Sequence, residues 1–297
     1  MSLLQEIQDS VVAVSERVGR SVVGLGRGRA FGTGIVVGEG RVLTNAHVLR
    51  REEVSVGFAD GRRATGRVAG VDVDGDLAVI AVDTGDAPAI EWSDSSAGLG
   101  APVFALANPA GRGMRVTFGL VCATERTFRG PRGRRITGSI EHSAPLPRGS
   151  SGGPLVDVSG RLLGINTLRL EGGLIVALAA DAELRSRTEA LGRGESPRRV
   201  SLGISIAPPH AARRMRRAVG LPERDGALVR GLIDGSPAAA AGIQRGDLIV
   251  SVGGTAIVRL DDLYRTLDSA AGETLELTLV RGAEERTVSV RPVPEGE

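Results

Sequence analysis

Two adjacent serines sit among three glycines and a proline in GSSGGPL, residues 149–155, and that combination can do acyl-transfer chemistry. A serine nucleophile needs neighbours without side chains, so that backbone N–H groups can face a developing oxyanion and a substrate chain can come close. The same residue types also make an ordinary surface turn. The stretch therefore implies chemistry only if a base and an acid that orients it occur elsewhere in the chain. Three histidines are available, His47, His142 and His210. His47, in RVLTNAHVL, lies at a strand end where an imidazole can be presented to a cleft. His142, in SIEHSAP, reads as a strand residue facing solvent or as part of a loop. His210 follows two prolines in the second half, a poor position from which to serve a serine in the first. Asp76 leads directly into the apolar run GDLAVIAVD, the setting expected of a buried orienting acid, with Asp72 and Asp74 of DVDGD as rivals.

These residues have to be positioned by strands. Between about 20 and 182 the chain runs through SVVGLG, FGTGIVVG, RVLTNAHVL, EVSVGF, GDLAVIAVD, APVFALANP, RVTFGLVCA, GRLLGINTL and GLIVALAA. All are apolar or β-branched runs of strand length, punctuated by Gly, Pro and Asp. Many short strands with regular turns predict a mainly β fold, and this length predicts a pair of barrels. The character changes at 182–200, where helix formers give way to Gly, Pro and Arg. From about 200 strands (GALVRGLI, GDLIVSVGG, LELTLVRG, RTVSVRP) mix with helical segments (PAAAAGI, LDDLYRTLDSA). The expected organisation is an N-terminal segment at 1–19, a first domain at 20–184, a linker at 185–199 and a small α+β domain at 200–292.

Composition removes several classes of function. With 41% apolar and 24% charged residues the 297-residue chain has the usage of a globular protein. No apolar run approaches the roughly 20 residues of a membrane span. The formal net charge of +2 does not make nucleic acid an expected partner, although all 37 basic side chains are arginine. One cysteine, Cys122, rules out an intrachain disulfide framework; in GLVCATE it reads as a buried small hydrophobe. No Cys/His cluster has metal-ligand spacing, so no metal and no cofactor is expected. The N-terminus lacks a basic region before its apolar residues, which argues against a signal peptide. Leu3, Leu4, Ile7, Val11 and Val14 fall near helical spacing and predict a short amphipathic helix docked on the body or on another subunit. As it stands the chain reads as cytoplasmic, or as extracytoplasmic if a targeting segment has been removed.

In chain order the candidates run His, Asp, Ser, each at a loop beside a predicted strand. TNAHV, DLAVI and GSSGGPL resemble the His, Asp and Ser blocks of chymotrypsin-like serine proteases, specifically those of the HtrA (Deg) family. GTGIVV, ANPAG, RVTFGLVCA and GRLLGIN match that family as well. The resemblance implies a double β-barrel protease domain with His47 as base, Asp76 as orienting acid and Ser151 as nucleophile. It also implies an oxyanion hole made by the Gly149 and Ser151 N–H groups. The activity it implies is ATP-independent cleavage of unfolded or tagged polypeptides. Departures occur at Pro147, Arg148 and Ser150, where the family usually has Asn, Pro and Asn. The prolines of APLPRG stiffen the approach to the oxyanion hole, and keep a second reading open, a peptide-binding or chaperone-like adaptor with a latent protease domain. Leu174, Ile175 and Val176 are expected to line the S1 pocket. With no acid among them, a small or medium aliphatic P1 residue is expected rather than Lys or Arg.

The second half resembles a PDZ domain. SLGI at 201–204 is similar to its carboxylate-binding loop, SPAAAAGIQRGDLIVSVGG to its signature, and LDDLYRTL to its groove helix. The resemblance implies capture of an extended C-terminal peptide at a sheet edge. Leu202, Gly203 and Ile204 would hold its carboxylate end, and Leu263 and Leu267 would wall a side-chain pocket. The segment TERTFRGPRGRRITG, 124–138, with Arg126, Arg129, Arg132, Arg134 and Arg135, resembles the family's sensor loop, though a charge run is as readily a solvated loop. The family commonly assembles as trimers, for which Phe31 and the N-terminal segment are candidate contacts.

Overall fold

The computed structural model describes residues 2–27, 30–130, 135–197, 200–270 and 272–294. They divide into two units, Met1–Pro197 and Arg198–Glu297.

The first unit opens with α1 (Leu3–Val18), whose N-cap Ser2 hydroxyl accepts from the Gln5 N–H. Its apolar face packs on its own unit through Val14 and Val18, which are almost fully buried. Twelve strands follow, β1 (Val22–Arg27), β2 (Ala30–Gly38), β3 (Arg41–Thr44), β4 (Glu53–Gly57), β5 (Arg63–Asp72), β6 (Leu77–Ala81), β7 (Pro102–Ala107), β8 (Arg115–Arg129), β9 (Arg135–His142), β10 (Pro154–Val156), β11 (Leu162–Arg169) and β12 (Ile175–Ala179). They close into two six-stranded antiparallel barrels, in the order β1-β2-β3-β6-β5-β4 and β10-β11-β12-β9-β8-β7.

Consecutive apolar residues within a strand face different interiors, because side chains alternate across a sheet. Val23, Val36 and Val42 fill the first barrel, while their neighbours Val22, Ile35 and Leu43 join Phe104, Leu106, Val156 and Ile165 in a shared core. That shared core ties the barrels together, and it explains why the strands read as continuous apolar runs.

Helix α2 (Ala182–Gly192) is capped by Asp181, whose carboxylate accepts from the Leu184 N–H at 2.8 Å. Its Leu184 and Leu191 enter the shared core. This corrects the expected linker at 185–199. Thr188 and Leu191 are buried in the first unit, and the units divide after Pro197. The composition of 182–200 misled because α2 buries only one narrow apolar side and shows charge on the rest.

The second unit consists of β13 (Val200–Ser201), β14 (Ile204–Ile206), α3 (Pro209–Ala218), β15 (Ala227–Leu232), α4 (Pro237–Ala240), β16 (Leu248–Val252), β17 (Thr255–Ala256), α5 (Leu260–Ser269), β18 (Leu275–Arg281), β19 (Glu284–Val290) and β20 (Val293–Pro294). β14, β15, β16, β18 and β19 form one sheet in that order, with β14 at its edge. Helix α3 is absent from the expected elements, since four arginines in PHAARRMRRA hide its apolar stripe. Asp247, 1% exposed, closes the turn before β16. Its carboxylate meets Arg281 in two hydrogen bonds of 2.8 and 2.9 Å and accepts from the Gln244 N–H. Burial pushes this carboxyl upward, but Arg281 and the Gln244 N–H more than offset that and hold it below the usual carboxylate range.

Candidate active site

β3 and β6 are neighbours in register, Thr44 opposite Ala78. The turn after β3 and the residue before β6 therefore meet at one end of the first barrel. His47 sits on the single helical turn Ala46–Val48, with Nδ1 2.9 Å from each carboxylate oxygen of Asp76. The His47 backbone N–H also donates to Asp76 Oδ1. An imidazole nitrogen facing a carboxylate is the donor, so in the neutral ring the lone pair lies on Nε2, which faces away from Asp76. Asp76 is 1% exposed and has φ of +54°, a conformation that costs a non-glycine residue about 1 kcal/mol or more. Two groups hold it there: Asn45 Nδ2 donates to its carbonyl at 3.0 Å, and Thr167 Oγ1 donates to Oδ2 at 2.5 Å. Its rival Asp72 is engaged instead with Arg187 and the Gly75 N–H.

The serine loop comes from the second barrel and is clamped onto the first. Thr33 N–H donates to the Ser151 carbonyl at 3.0 Å, and Thr33 Oγ1 donates to the Gly149 carbonyl at 2.9 Å. Gly149 and Gly152 are required sterically. Each has φ of +86°; a Cβ would lie 2.2 Å from the Phe31 ring at the first and 2.1 Å from the Thr33 carbonyl at the second. Among the described residues neither the Gly149 N–H nor that of Ser151 donates a hydrogen bond within the chain. The two serines differ in what they touch. Ser150 Oγ donates to the Pro147 carbonyl at 2.8 Å, whereas Ser151 Oγ donates to the Thr167 carbonyl at 3.1 Å. Among the described residues no hydrogen bond joins Ser151 to His47.

A cavity of about 200 Å³ opens beside Ser151, walled by Leu146, Gly149, Thr167, Leu168 and Ile175. Of the three residues expected to line it, only Ile175 does. Val176, 2% exposed, points to the opposite side of β12 into the core, and Leu174 precedes the strand with its carbonyl tied to the Leu170 N–H. A second cavity of about 370 Å³ is walled by Leu25, Phe31, Val48, Leu49 and Val54.

Comparison with known proteins follows these two halves. The family model for a trypsin-like peptidase domain matches residues 32–165, and that for a PDZ domain matches residues 228–281. A putative serine protease, HhoB, of Synechocystis is 32% identical over 284 residues, covering 90% of this chain and 67% of its own. The chain belongs to the HtrA family of serine proteases. A probable periplasmic serine endoprotease, DegP-like, of Halomonas elongata is 32% identical over 88% of this chain. The mitochondrial serine protease HTRA2 of Drosophila pseudoobscura is 30% identical over 88% of it. The chain spans only 56% and 65% of these two relatives. Among solved structures, the serine endoprotease from Yersinia pestis superposes with a TM-score of 0.65 at 27% identity, covering 96% of this chain and 97% of that one. The HtrA-type protease AlgW shares the fold at 22% identity and the same TM-score, covering 97% of this chain and 99% of its own. Names that place relatives in the periplasm and the mitochondrion give the expected cytoplasmic location no support. No described helix is long and apolar enough to cross a membrane.

Within this HtrA fold several residues sit differently from expectation. His142 is fully buried rather than facing solvent, because β9 is flanked by β8 and β12 inside the second barrel. Asn166 Nδ2 donates to the Gly153 and Pro154 carbonyls, so its Oδ1 accepts from His142 Nε2 at 2.8 Å. Burial holds the His142 imidazole below its usual value, with the Asn166 hydrogen bond opposing. The folded chain thus keeps His142 neutral where the unfolded chain, titrating near 6.5, takes up a proton. The contribution of His142 to stability is complete above about pH 6.5 and is lost as pH falls below it, by at most about 1.4 kcal/mol per pH unit for one proton. Urea unfolding at stepped pH is expected to show a shallower acid decline for His142→Gln than for the native chain. Equal slopes would contradict the burial effect.

Cys122 is exposed, because β8 turns Val121 inward and Cys122 outward. The 124–138 segment is largely strand: β8 runs to Arg129 and pairs with β9 through Phe128 and Ile136, which pack on the shared core. Arg126 meets the Glu141 carboxylate at 3.1 Å. Arg132 and Arg134 lie outside the described residues.

In the second unit Leu202, Leu263 and Leu267 belong to one apolar cluster and are 1%, 1% and 5% exposed. They are core residues, since α5 turns Leu263 and Leu267 inward, and the partly exposed apolar surface on edge strand β14 is Ile204 and Ile206. Gly203 has φ of +70°, and its N–H is held by the Ser201 hydroxyl at 3.0 Å.

Proposed function

We propose that the chain is an ATP-independent serine endopeptidase acting through His47, Asp76 and Ser151. The observation that carries this is His47 Nδ1 held 2.9 Å from both oxygens of a buried Asp76, in a unit whose Ser151 loop offers two unengaged N–H groups. Ser151 Oγ swings from the Thr167 carbonyl toward His47 and attacks the peptide carbonyl carbon while Nε2 takes its proton. The Gly149 and Ser151 N–H groups stabilise the oxyanion. The C–N bond breaks, His47 returns the proton to the departing amine, and water then hydrolyses the acyl-enzyme by the same route.

The cavity beside Ser151 takes the P1 side chain. Its Leu146, Leu168 and Ile175 walls suit a small or medium aliphatic group. The larger cavity, whose wall includes Val48 and Leu49 just after His47 in the chain, suits the leaving-amine side. In the second unit, edge strand β14 suits capture of an extended C-terminal peptide by strand addition. AlgW structures are described with a decapeptide and with a tripeptide, which supports a polypeptide ligand here. Assembly as a homotrimer belongs to the same reading, with exposed Leu4 and Val12 of α1 as the available surface, because Phe31 packs on Gly149. The names of the relatives favour a place outside the cytoplasm.

One observation favours a second reading, an adaptor with a latent protease domain: the Ser151 hydroxyl faces Thr167 and not His47. A mass-spectrometric cleavage-site profile on a denatured proteome separates the two. Internal cuts after Ala, Val, Ile or Leu are expected; cuts after Lys or Arg would contradict the pocket, and none beyond those of Ser151→Ala would leave the adaptor.

A further inference from the structure

Asp76 is gripped on its catalytic side by His47, Asn45 and Thr167. Its other side is the turn at residues 73–75, and this turn is held from α2. Arg187 donates through Nη2 to Asp72 Oδ2. The Asp72 side chain is 2% exposed, and its other oxygen accepts the Gly75 N–H at 3.0 Å. The same guanidinium lies over Gly75, where a Cβ would come within 1.6 Å of Nη2. Arg187 thus fills the place a side chain at 75 would take, directly before Asp76. The contact is one of a series: Gly70 packs against the Leu191 carbonyl, and the Val71 N–H donates to Ser196 Oγ at 3.0 Å. Leu184 and Leu191 anchor α2 in the shared core, so Arg187 reaches the turn from a fixed base.

We infer that Arg187 is a positioning residue for the triad: through Asp72 and Gly75 it sets where the Asp76 carboxylate stands against His47, without touching the reacting atoms. The inference rests on the triad reading above. Asp76 holds a left-handed backbone conformation that only its surroundings enforce. When the turn before it relaxes, the carboxylate withdraws from Nδ1–H and stabilises the imidazolium less. Lysine replaces Arg187 poorly, because a point charge can pair with Asp72 but cannot also lie flat over Gly75.

The test compares Arg187→Gln, Arg187→Lys and Arg161→Gln in the full chain, the last removing an equal charge from the pair with Asp157. Active sites are counted with a phosphonylating reagent, and kcat and KM for a short aliphatic peptide are measured across pH. Arg187→Gln is expected to lower kcat per active site by about 10- to 100-fold, the size of effect a misplaced catalytic group produces. KM is expected to change by less than about threefold, and the acid limb of kcat/KM to move to lower pH. Arg187→Lys should fall between, and Arg161→Gln should match the native chain. Loss of thermal stability or of countable sites, with kcat per site and the acid limb unchanged, would make Arg187 merely structural and overturn the inference; an equal shift in Arg161→Gln would do so too. The low-field proton resonance of His47 Nδ1–H, assigned by its loss in His47→Gln, gives a reading independent of turnover. It is expected to move upfield in Arg187→Gln and to stay in place in Arg161→Gln. A native chain no more active than Ser151→Ala sinks the protease reading, while this resonance still decides for or against Arg187.

Discussion

Ser151→Ala is expected to lower kcat by about 10⁶-fold while leaving the fold intact, because in the proposed mechanism this hydroxyl supplies the bond-forming oxygen. In the structure that hydroxyl makes one hydrogen bond, to the Thr167 carbonyl at the edge of a cavity, so its loss leaves no hole in the core. Triad members act as a unit, and His47→Ala added to Ser151→Ala should cost almost nothing more. Ser150→Ala is the control. It removes the bond to the Pro147 carbonyl and is expected to keep the chain active within about tenfold, since one neutral hydrogen bond contributes about 1 kcal/mol. Steady-state cleavage of a peptide, with circular dichroism as a check on folding, reads all three. The reverse pattern, an active Ser151→Ala and an inactive Ser150→Ala, would move the nucleophile by one residue.

Asp76→Asn is expected to cost about 10⁴-fold in kcat, the size of loss seen when the orienting acid of such a triad becomes an amide. The geometry here supplies the reason. The carboxylate accepts from the His47 backbone N–H, from His47 Nδ1 and from Thr167 Oγ1. An amide has a single acceptor oxygen, so its NH₂ must face one of these donors. If it faces Nδ1, the imidazole turns to the tautomer with its proton on Nε2 and can no longer take one from Ser151. Raising pH should not restore the lost rate, because the tautomer and not the charge is wrong. A pH–rate profile that recovers native activity in alkali would show Asp76 acting by charge alone.

Much of this arrangement was legible in the chain, and the reasons are local. His47, Asp76 and Ser151 each stand where an apolar strand meets a turn, and the glycines of GSSGGPL mark backbone that a side chain would block. Residues that act only through tertiary contact carry no such mark. Thr167 closes an otherwise ordinary strand run, yet touches both Asp76 and the Ser151 hydroxyl. Asn45 is one residue of TNAHV until its amide is seen holding the Asp76 carbonyl. Strand alternation, readable in principle, was obscured by double burial. With both faces of β12 packed, nothing in LIVALAA tells Ile175, which lines the cavity, from Val176, which does not. The same double burial hid His142, whose polar ring looked like a surface residue and is instead buried, with Nε2 donating to Asn166. Helix α2 was cut short for the opposite reason, since the Gly, Pro and Arg that follow its helix formers suggested a linker from 185, where Leu191 still anchors it.

The most direct measurement is the site of covalent labelling by a serine-directed phosphonylating reagent on the folded chain, read by intact mass and peptide mapping. One adduct per chain is expected, on Ser151 in the peptide that carries GSSGGPL, forming in step with loss of peptidase activity and absent from Ser151→Ala and from chain unfolded in urea. An adduct on Ser150, or full loss of activity with Ser151 unlabelled, would contradict the assignment of Ser151 as the nucleophile.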